Sequence, residues 1–151
     1  MKKKSILLAA LLLTGVCGTS LAVDEPYVDY LYSDTNYPII DGKQGYGGYV
    51  DLTSISVIKN DQFGVEFEVN VLQVNHNKPG WENSQPTICP QHFFKNYAEP
   101  NSMYYRGDKA SKYAPLVWKQ MNLTDTSGTA IGSNRTFKYC MEHITGKPYR
   151  Y

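Results

Sequence analysis

Two short segments of the sequence each carry a cysteine followed three residues later by a histidine. The first contains Cys89 and His92 in ICPQHFF, and the second contains Cys140 and His143 in KYCMEHI. Two thiolates and two imidazoles are a ligand set that a tetrahedral zinc ion accepts. Two cysteines can instead join to each other, which happens mainly in oxidising compartments. The compartment of the protein therefore decides between these two chemistries.

The first 22 residues have the pattern of a secretory signal peptide. Three lysines follow Met1, an apolar run covers residues 6–13, and small residues end at Ala22. The apolar run is shorter than the roughly 20 residues that a membrane-spanning helix needs. We therefore expect cleavage after Ala22 and export to the periplasm or the cell surface, with no membrane span afterwards. Lipidation at Cys17 is an alternative, although the branched Val16 precedes that cysteine.

Export favours the bond between the cysteines. Cys89 and Cys140 are the two cysteines beyond residue 22, so we predict a Cys89–Cys140 disulfide and no metal site. The bond would close a loop of about 50 residues, for which the chain-entropy model gives a stabilisation of roughly 4 kcal/mol. It would also attach the long segment around Cys89 to the helix that carries Cys140.

The sequence shows no constellation that predicts catalysis. It lacks the Gly-x-Ser-x-Gly elbow of many serine hydrolases. Glu66 and Glu68 share one face of a predicted strand, whereas a paired-carboxylate enzyme needs its two groups on opposite sides of a cleft. We predict no catalytic residue and no cofactor. The alternative is a periplasmic enzyme, or an inhibitor of one, built around Glu66, Glu68, His76 and His92.

Aromatic side chains are the candidate recognition groups. The chain has 13 tyrosines, all beyond residue 22, and aromatic rings offer flat, amphipathic contact surface. We predict that Trp81, Tyr104 and Tyr105 bind a ligand, because Trp81 lies in an irregular loop and loops often carry recognition. The expected partner is an unidentified protein or glycan at the cell surface.

The distribution of charge excludes one class of partner. Beyond the leader the chain has 12 basic and 14 acidic side chains, and the lysines are scattered singly. A protein that binds the phosphate backbone would show a clustered basic surface. We therefore expect no nucleic-acid partner.

Short strands are the elements that must position these residues. Residues 63–71 alternate between apolar and polar, which predicts a strand with one buried face in an antiparallel sheet. Residues 76–100 contain several prolines and predict an irregular stretch without an extended ladder. The other predicted strands are short and cover residues 49–52, 56–58, 102–106 and 116–121. A tight corner is predicted between the first two of them.

One helix is predicted near the end of the chain. Phe137, Cys140, Met141 and Ile144 have the spacing of a single apolar stripe, which Ser133 or Asn134 would cap and Gly146 would end. The segment 122–134 before it reads as a solvated loop. Residues 23–151 thus predict one α+β domain, a small antiparallel sheet of about four or five strands packed against a C-terminal helix.

Three runs of the sequence together resemble a known group of domains. They are YSDTNYPIID, GYGGYVDLTSISVIKNDQFGVEFEVNVLQVN and TFKYCMEHITGKPY, and they resemble small exported bacterial domains related to the surface-adhesin E-like group. The shared pattern is an aromatic-x-Asp corner followed by Ser-Ile, an alternating strand and a C-terminal helix. The resemblance covers the middle third of the chain and its last helix. It implies a small α+β domain with a binding role at the cell surface, and it assigns no catalytic residue.

Overall fold

The protein forms one antiparallel sheet and one long helix. A computed structural model describes residues 27–107 and 117–150; the predicted leader, including Cys17, lies outside the described residues. Within these ranges, six strands are hydrogen-bonded to one another in the order of the sequence. They are β1 (Ile39–Lys43), β2 (Tyr46–Asn60), β3 (Gly64–Asn75), β4 (Thr87–Asn96), β5 (Ser102–Gly107) and β6 (Lys119–Asn122), and the helix is α1 (Gly128–Thr145). The predicted α+β class is confirmed, with more strands than predicted.

The alternation predicted for residues 63–71 is confirmed in β3 from Val65 onward, whereas Phe63 lies before the strand and is 66% exposed. Val65, Phe67, Val69 and Val71 are almost completely buried in the main hydrophobic core. The ring of Phe67 stacks on that of Phe137 from α1, with 5.8 Å between ring centroids. The β3 residues that alternate with these four buried ones point to the other side of the sheet, because side chains alternate along a strand. We call the side under α1 the inner face and the opposite side the outer face.

The helix uses the predicted apolar stripe and begins earlier than predicted. Phe137, Cys140 and Met141 are buried in the main core, and Gly146 ends the helix with a left-handed backbone, at φ 65°. The first helical residue is Gly128. The side-chain amide of Asn134 does not cap the helix, since it lies inside α1 and donates to the carbonyl oxygens of Asn122 and Asp125. No helix in the described residues is long and apolar enough to cross a membrane.

A second, smaller core covers one end of the outer face. It contains Leu31, Tyr49, Leu72 and Val74, with Trp81 partly buried against them. These residues bring the chain before β1 and the connection between β3 and β4 onto the sheet. The opposite end of the outer face, where β3 begins, carries polar and aromatic side chains instead of this core.

The predicted corner is a break in register within a single strand. Residues 49–52 and 56–58 both belong to β2, in which Asp51 pairs with Asn70 but Ser56 pairs with Glu68. The hydroxyl of Ser54 donates to the carbonyl oxygen of Asp51 at 2.7 Å and accepts the N–H of Asn70 at 2.9 Å. The side chain of Ser54 thus replaces the ladder bonds that the extra residues interrupt.

The irregular stretch predicted for residues 76–100 is wrong for the part that forms β4. Ten of these residues form β4, which pairs with β3 along its whole length. Pro90 lies opposite Asn70 in that ladder, whereas the pairing of β4 with β5 begins only at Gln91. Proline is tolerated in a strand where its missing N–H removes no ladder bond. Pro90 occupies such a position, one residue beyond the β4–β5 ladder.

Candidate binding surface

Seven side chains from the four strands β3 to β6 and their borders form a platform on the outer face. Their positions follow from register: Glu68, His92 and Arg106 lie side by side on neighbouring strands, as do Glu66, Phe94 and Tyr104. Trp118, directly before β6, lies over this group. We call these residues the platform: Glu66, Glu68, His92, Phe94, Tyr104, Arg106 and Trp118.

His92 is the buried centre of the platform. Its Nε2 is 2.8 Å from Oε1 of Glu66, and its Nδ1 is 2.7 Å from Nη2 of Arg106. A guanidinium group can only donate, so Nδ1 accepts and the proton lies on Nε2, which donates to Glu66. The hydrogen bonds to Glu66 and Arg106 therefore engage both ring nitrogens of His92. Glu68 completes the group with its Oε1 3.4 Å from Nδ1.

Trp118 stacks on the charged part of the platform. The Cζ atom of Arg106 is 4.8 Å from the centroid of the Trp118 ring, which is within the range of a cation–π contact. The ring of His92 meets the same indole edge-on, with 4.8 Å between centroids. Trp118 nevertheless remains 39% exposed. The indole is therefore held in place and still accessible to a partner.

Two more aromatic rings continue the platform toward the connection between β4 and β5. The rings of Phe94 and Tyr104 lie 5.8 Å apart, and both are partly exposed. The hydroxyl of Tyr104 donates to Oε2 of Glu99 at 3.1 Å. This hydrogen bond raises the pKa of Tyr104. The hydroxyls of Ser102 and Tyr104 lower the pKa of Glu99, which therefore holds Tyr104 in place as a carboxylate.

The geometry of His92 does not provide a catalytic base. A carboxylate beside an imidazole can orient a general base, but the base must keep a nitrogen lone pair for the substrate. In His92 the Nδ1 lone pair accepts the N–H of Arg106, and Nε2 donates to Glu66. Both nitrogens are thus occupied within the protein. The alternative enzyme hypothesis groups His76 with these residues. In the structure His76 packs on Trp81 instead, ten residues along the chain from Glu66.

The structure places the three predicted ligand-binding residues in different environments. Tyr104 belongs to the platform. Tyr105 lies on the inner face, where its ring is 5.5 Å from that of Phe93. Trp81 is half-buried in the second core, with its ring centroid 4.1 Å from that of His76. Trp81 is therefore a packing residue in this fold rather than an exposed loop contact.

The sequence indicates four of the seven platform residues, but under two separate hypotheses: Glu66, Glu68 and His92 as an alternative enzyme site, and Tyr104 as a ligand contact. It does not indicate Arg106 or Trp118 as site residues, and Phe94 falls in the stretch predicted to be irregular. A signal did exist, because each of the segments 63–71, 102–106 and 116–121 has the alternation or composition of a strand. Finding the platform would also have required the register between strands, which depends on recognising β4.

The structure does not contain the predicted disulfide between Cys89 and Cys140. Cys140 is completely buried in the main core, and Cys89 packs against that core from the inner face of β4. The prediction relied on the compartment alone, whereas in the fold both cysteines serve as small apolar side chains. Burial also raises the pKa of the Cys140 thiol.

The two Cys-x-x-His pairs do not converge into a metal site. Cys89 and His92 lie on opposite faces of β4, because they are three positions apart and side chains alternate along a strand. On α1, Cys140 is buried and His143 is exposed. In residues 27–107 and 117–150 no three histidine, cysteine or acidic side chains are grouped closely enough to hold a metal ion.

Comparisons of the chain with family profiles, with curated proteins and with solved structures found no match. The resemblance to surface-adhesin E-like domains therefore stays a prediction. The geometry of the platform is therefore the basis for the function proposed below.

Proposed function

We propose that this chain is an exported binding module without enzymatic activity, which attaches to a partner at the cell surface through the platform. The observation that carries the proposal is the accessible indole of Trp118, held over Arg106 and His92 on the outer face. Partly exposed aromatic and arginine side chains dominate binding energy at many interfaces. The leader pattern of residues 1–22 supports the exported location.

The setting of the platform supports recognition. Its residues lie on or directly beside paired strands, and rigid elements hold contact groups more precisely than free loops do. Hydrogen bonds within the platform fix His92 and Arg106 before any partner arrives, and a hydrogen bond to the neighbouring Glu99 fixes Tyr104. Side chains that are already ordered cost less conformational entropy on binding.

Catalysis is the second candidate function, and the contact between Glu66 and His92 is the observation in its favour. The engagement of both imidazole nitrogens weighs against it. A hydrolase or an enzyme inhibitor would also need a concave polar site, whereas the platform is the face of a sheet. We therefore favour the binding module.

The test compares binding of the full chain with that of a Trp118→Ala variant. Labelled protein is titrated onto cultured cells and onto immobilised matrix proteins. We expect saturable binding by the natural sequence and at least tenfold weaker binding by Trp118→Ala, since loss of a central aromatic contact often costs 2 kcal/mol or more. Tyr46→Ala is the matched control, because Tyr46 is an exposed aromatic residue outside the platform. Equal binding by the two variants would contradict the proposed surface.

A further inference from the structure

We infer that the ligand of the platform is a neutral oligosaccharide. The inference rests on the proposed function, because it identifies the chemical class that the same surface binds. Four properties of the platform support it: the arrangement of its aromatic rings, the pairing of its hydrogen-bonding groups, its excess of carboxylates over permanent cations, and its width.

The aromatic rings provide flat, accessible surface of the kind that a sugar ring can cover. Trp118, Phe94 and Tyr104 lie in one continuous group, with ring centroids 6.5 Å and 5.8 Å apart. Each ring face carries partial negative charge, and the C–H bonds on one side of a pyranose are its partially positive, weakly hydrated surface. The rings can therefore contact sugars without a large apolar groove, which a folded protein segment would require.

The polar groups beside these rings match hydroxyl groups. Each sugar hydroxyl is both a donor and an acceptor, so it is best recognised where an acceptor and a donor stand side by side. Glu66 and Glu68 supply carboxylate oxygens, and Arg106 supplies the guanidinium N–H groups that do not bond His92. His92 bonds Glu66 and Arg106 at once and so fixes acceptor and donor in one arrangement. This fixed arrangement lowers the entropic cost of binding a flexible chain.

The charge of the platform selects a neutral ligand over an anionic one. Glu66 and Glu68 supply two carboxylates, and Arg106 supplies one permanent positive charge. The platform therefore has more carboxylates than permanent cations and no cluster of basic groups. Such a surface repels sulfated or otherwise polyanionic glycans, because like charges reduce both encounter and affinity.

The size of the platform favours an oligosaccharide over a single sugar. It reaches across four neighbouring strands, from β3 to the beginning of β6. With neighbouring strands about 4.8 Å apart, this width is roughly 14 Å. Several linked sugar rings are needed to cover such a distance, and a short linear chain would lie across the strands.

The direct test titrates the full chain with four hexasaccharides. Chitohexaose, cellohexaose and maltohexaose are the neutral probes, and a heparin-derived hexasaccharide is the anionic probe. We expect saturable binding of at least one neutral probe, with at least tenfold weaker binding by Trp118→Ala and by Glu66→Gln. Tyr46→Ala should bind within twofold of the natural sequence. Far-ultraviolet circular dichroism verifies folding, and Trp118→Phe, which keeps an aromatic ring, should lose less affinity than Trp118→Ala.

A cell-binding arm separates failure of this inference from failure of the proposed function. Cells are treated with mild periodate, which cleaves vicinal diols of glycans, before the labelled protein is added. Loss of platform-dependent binding supports the inference. Unchanged binding that Trp118→Ala still abolishes would overturn the glycan and indicate a protein partner. Stronger binding of the heparin probe than of every neutral probe would also overturn it. Absence of binding to cells, matrix proteins and all probes would overturn the proposed function itself.

Discussion

Lys95 shows how one buried residue can stabilise a whole connection. It is 3% exposed, and its ammonium group donates to the carbonyl oxygens of Glu99, Pro100 and Ser102. Burial lowers the pKa of Lys95, and the nearby Glu99 carboxylate opposes that shift. Two of these carbonyl groups belong to the connection between β4 and β5, and the third belongs to Ser102, the first residue of β5. A single side chain thus ties the connection to the start of β5.

Replacement of this lysine tests its role. We expect Lys95→Met to lower the free energy of unfolding by about 2 kcal/mol, since it leaves backbone acceptors without their charged donor. Lys59→Met is the matched control, because the ion pair of Lys59 with Asp61 is exposed and such pairs contribute about 0–1 kcal/mol. Urea unfolding of both variants is the measurement. Equal losses would show that the Lys95 hydrogen bonds do not stabilise the connection.

The buried thiol of Cys140 should be chemically inert in the folded protein. Its pKa is raised by burial, and the reactive species is the thiolate. We expect iodoacetamide at pH 8 to modify Cys140 only in denaturant, and to do so there without any reductant. Peptide mass spectrometry measures the modification of Cys140. A requirement for reductant would establish the disulfide that the sequence predicts and the structure lacks.

Residue identity alone did not reveal which tryptophan belongs to the platform. Trp81 lies between proline, glycine and polar residues, which is typical of an exposed loop, yet it packs on His76 in the second core. Trp118 lies in a segment that reads as an ordinary strand. Its role follows from the neighbours that register brings to it, Arg106 and His92. Such neighbours belong to other strands and leave no mark near Trp118 in the sequence.

At the scale of elements, local patterns were most informative where one face alone is buried. β3 and the stripe of α1 were predicted because polar side chains separate their apolar positions at a clear period. β4 was missed because Pro90, its polar residues and the prolines on either side of it resemble a loop. The start of α1 was missed because Asn134 resembled a cap, whereas its amide bonds the preceding loop.

The break in β2 provides a test at the same scale. Ser54→Ala removes the hydroxyl that bonds both Asp51 and Asn70. We expect the free energy of unfolding to fall by about 1–2 kcal/mol, because two backbone groups lose their partner. Ser56→Ala, at an exposed position of the same strand, should change it by less than about 0.5 kcal/mol. Thermal and urea unfolding of both variants decide the matter, and a neutral Ser54→Ala would show that water replaces the hydroxyl.

For the whole molecule, carboxylates in turns determine the response to acid. Asp61 accepts the N–H groups of Phe63 and Gly64, and these contacts lower its pKa. Hydroxyl groups are the first cause of the lowered pKa of Glu99 and of Asp125. A carboxyl group whose pKa is lower in the folded state stabilises that state above its unfolded pKa. This contribution is lost as the pH falls through the folded value.

The midpoint of thermal unfolding should therefore be constant at neutral pH and fall below about pH 4, where free carboxyl groups begin to protonate. Circular dichroism at a series of pH values measures this curve. Glu99→Gln should flatten part of the fall, because it removes one of the titrating groups and keeps an acceptor for Ser102 and Tyr104. A midpoint that stays unchanged down to pH 3 would contradict the linkage.

The order of the elements has a consequence for how the protein folds. Each strand pairs with its neighbour in the sequence, so every hairpin can form as soon as its second strand is available, with little loop-closure cost. The main core differs, since Phe67 and Phe93 are covered by Phe137 from the final helix. A chain that emerges from its N-terminus would therefore display a paired sheet with a bare apolar face until α1 arrives. During that interval the inner face is a binding site for chaperones and the main risk for aggregation.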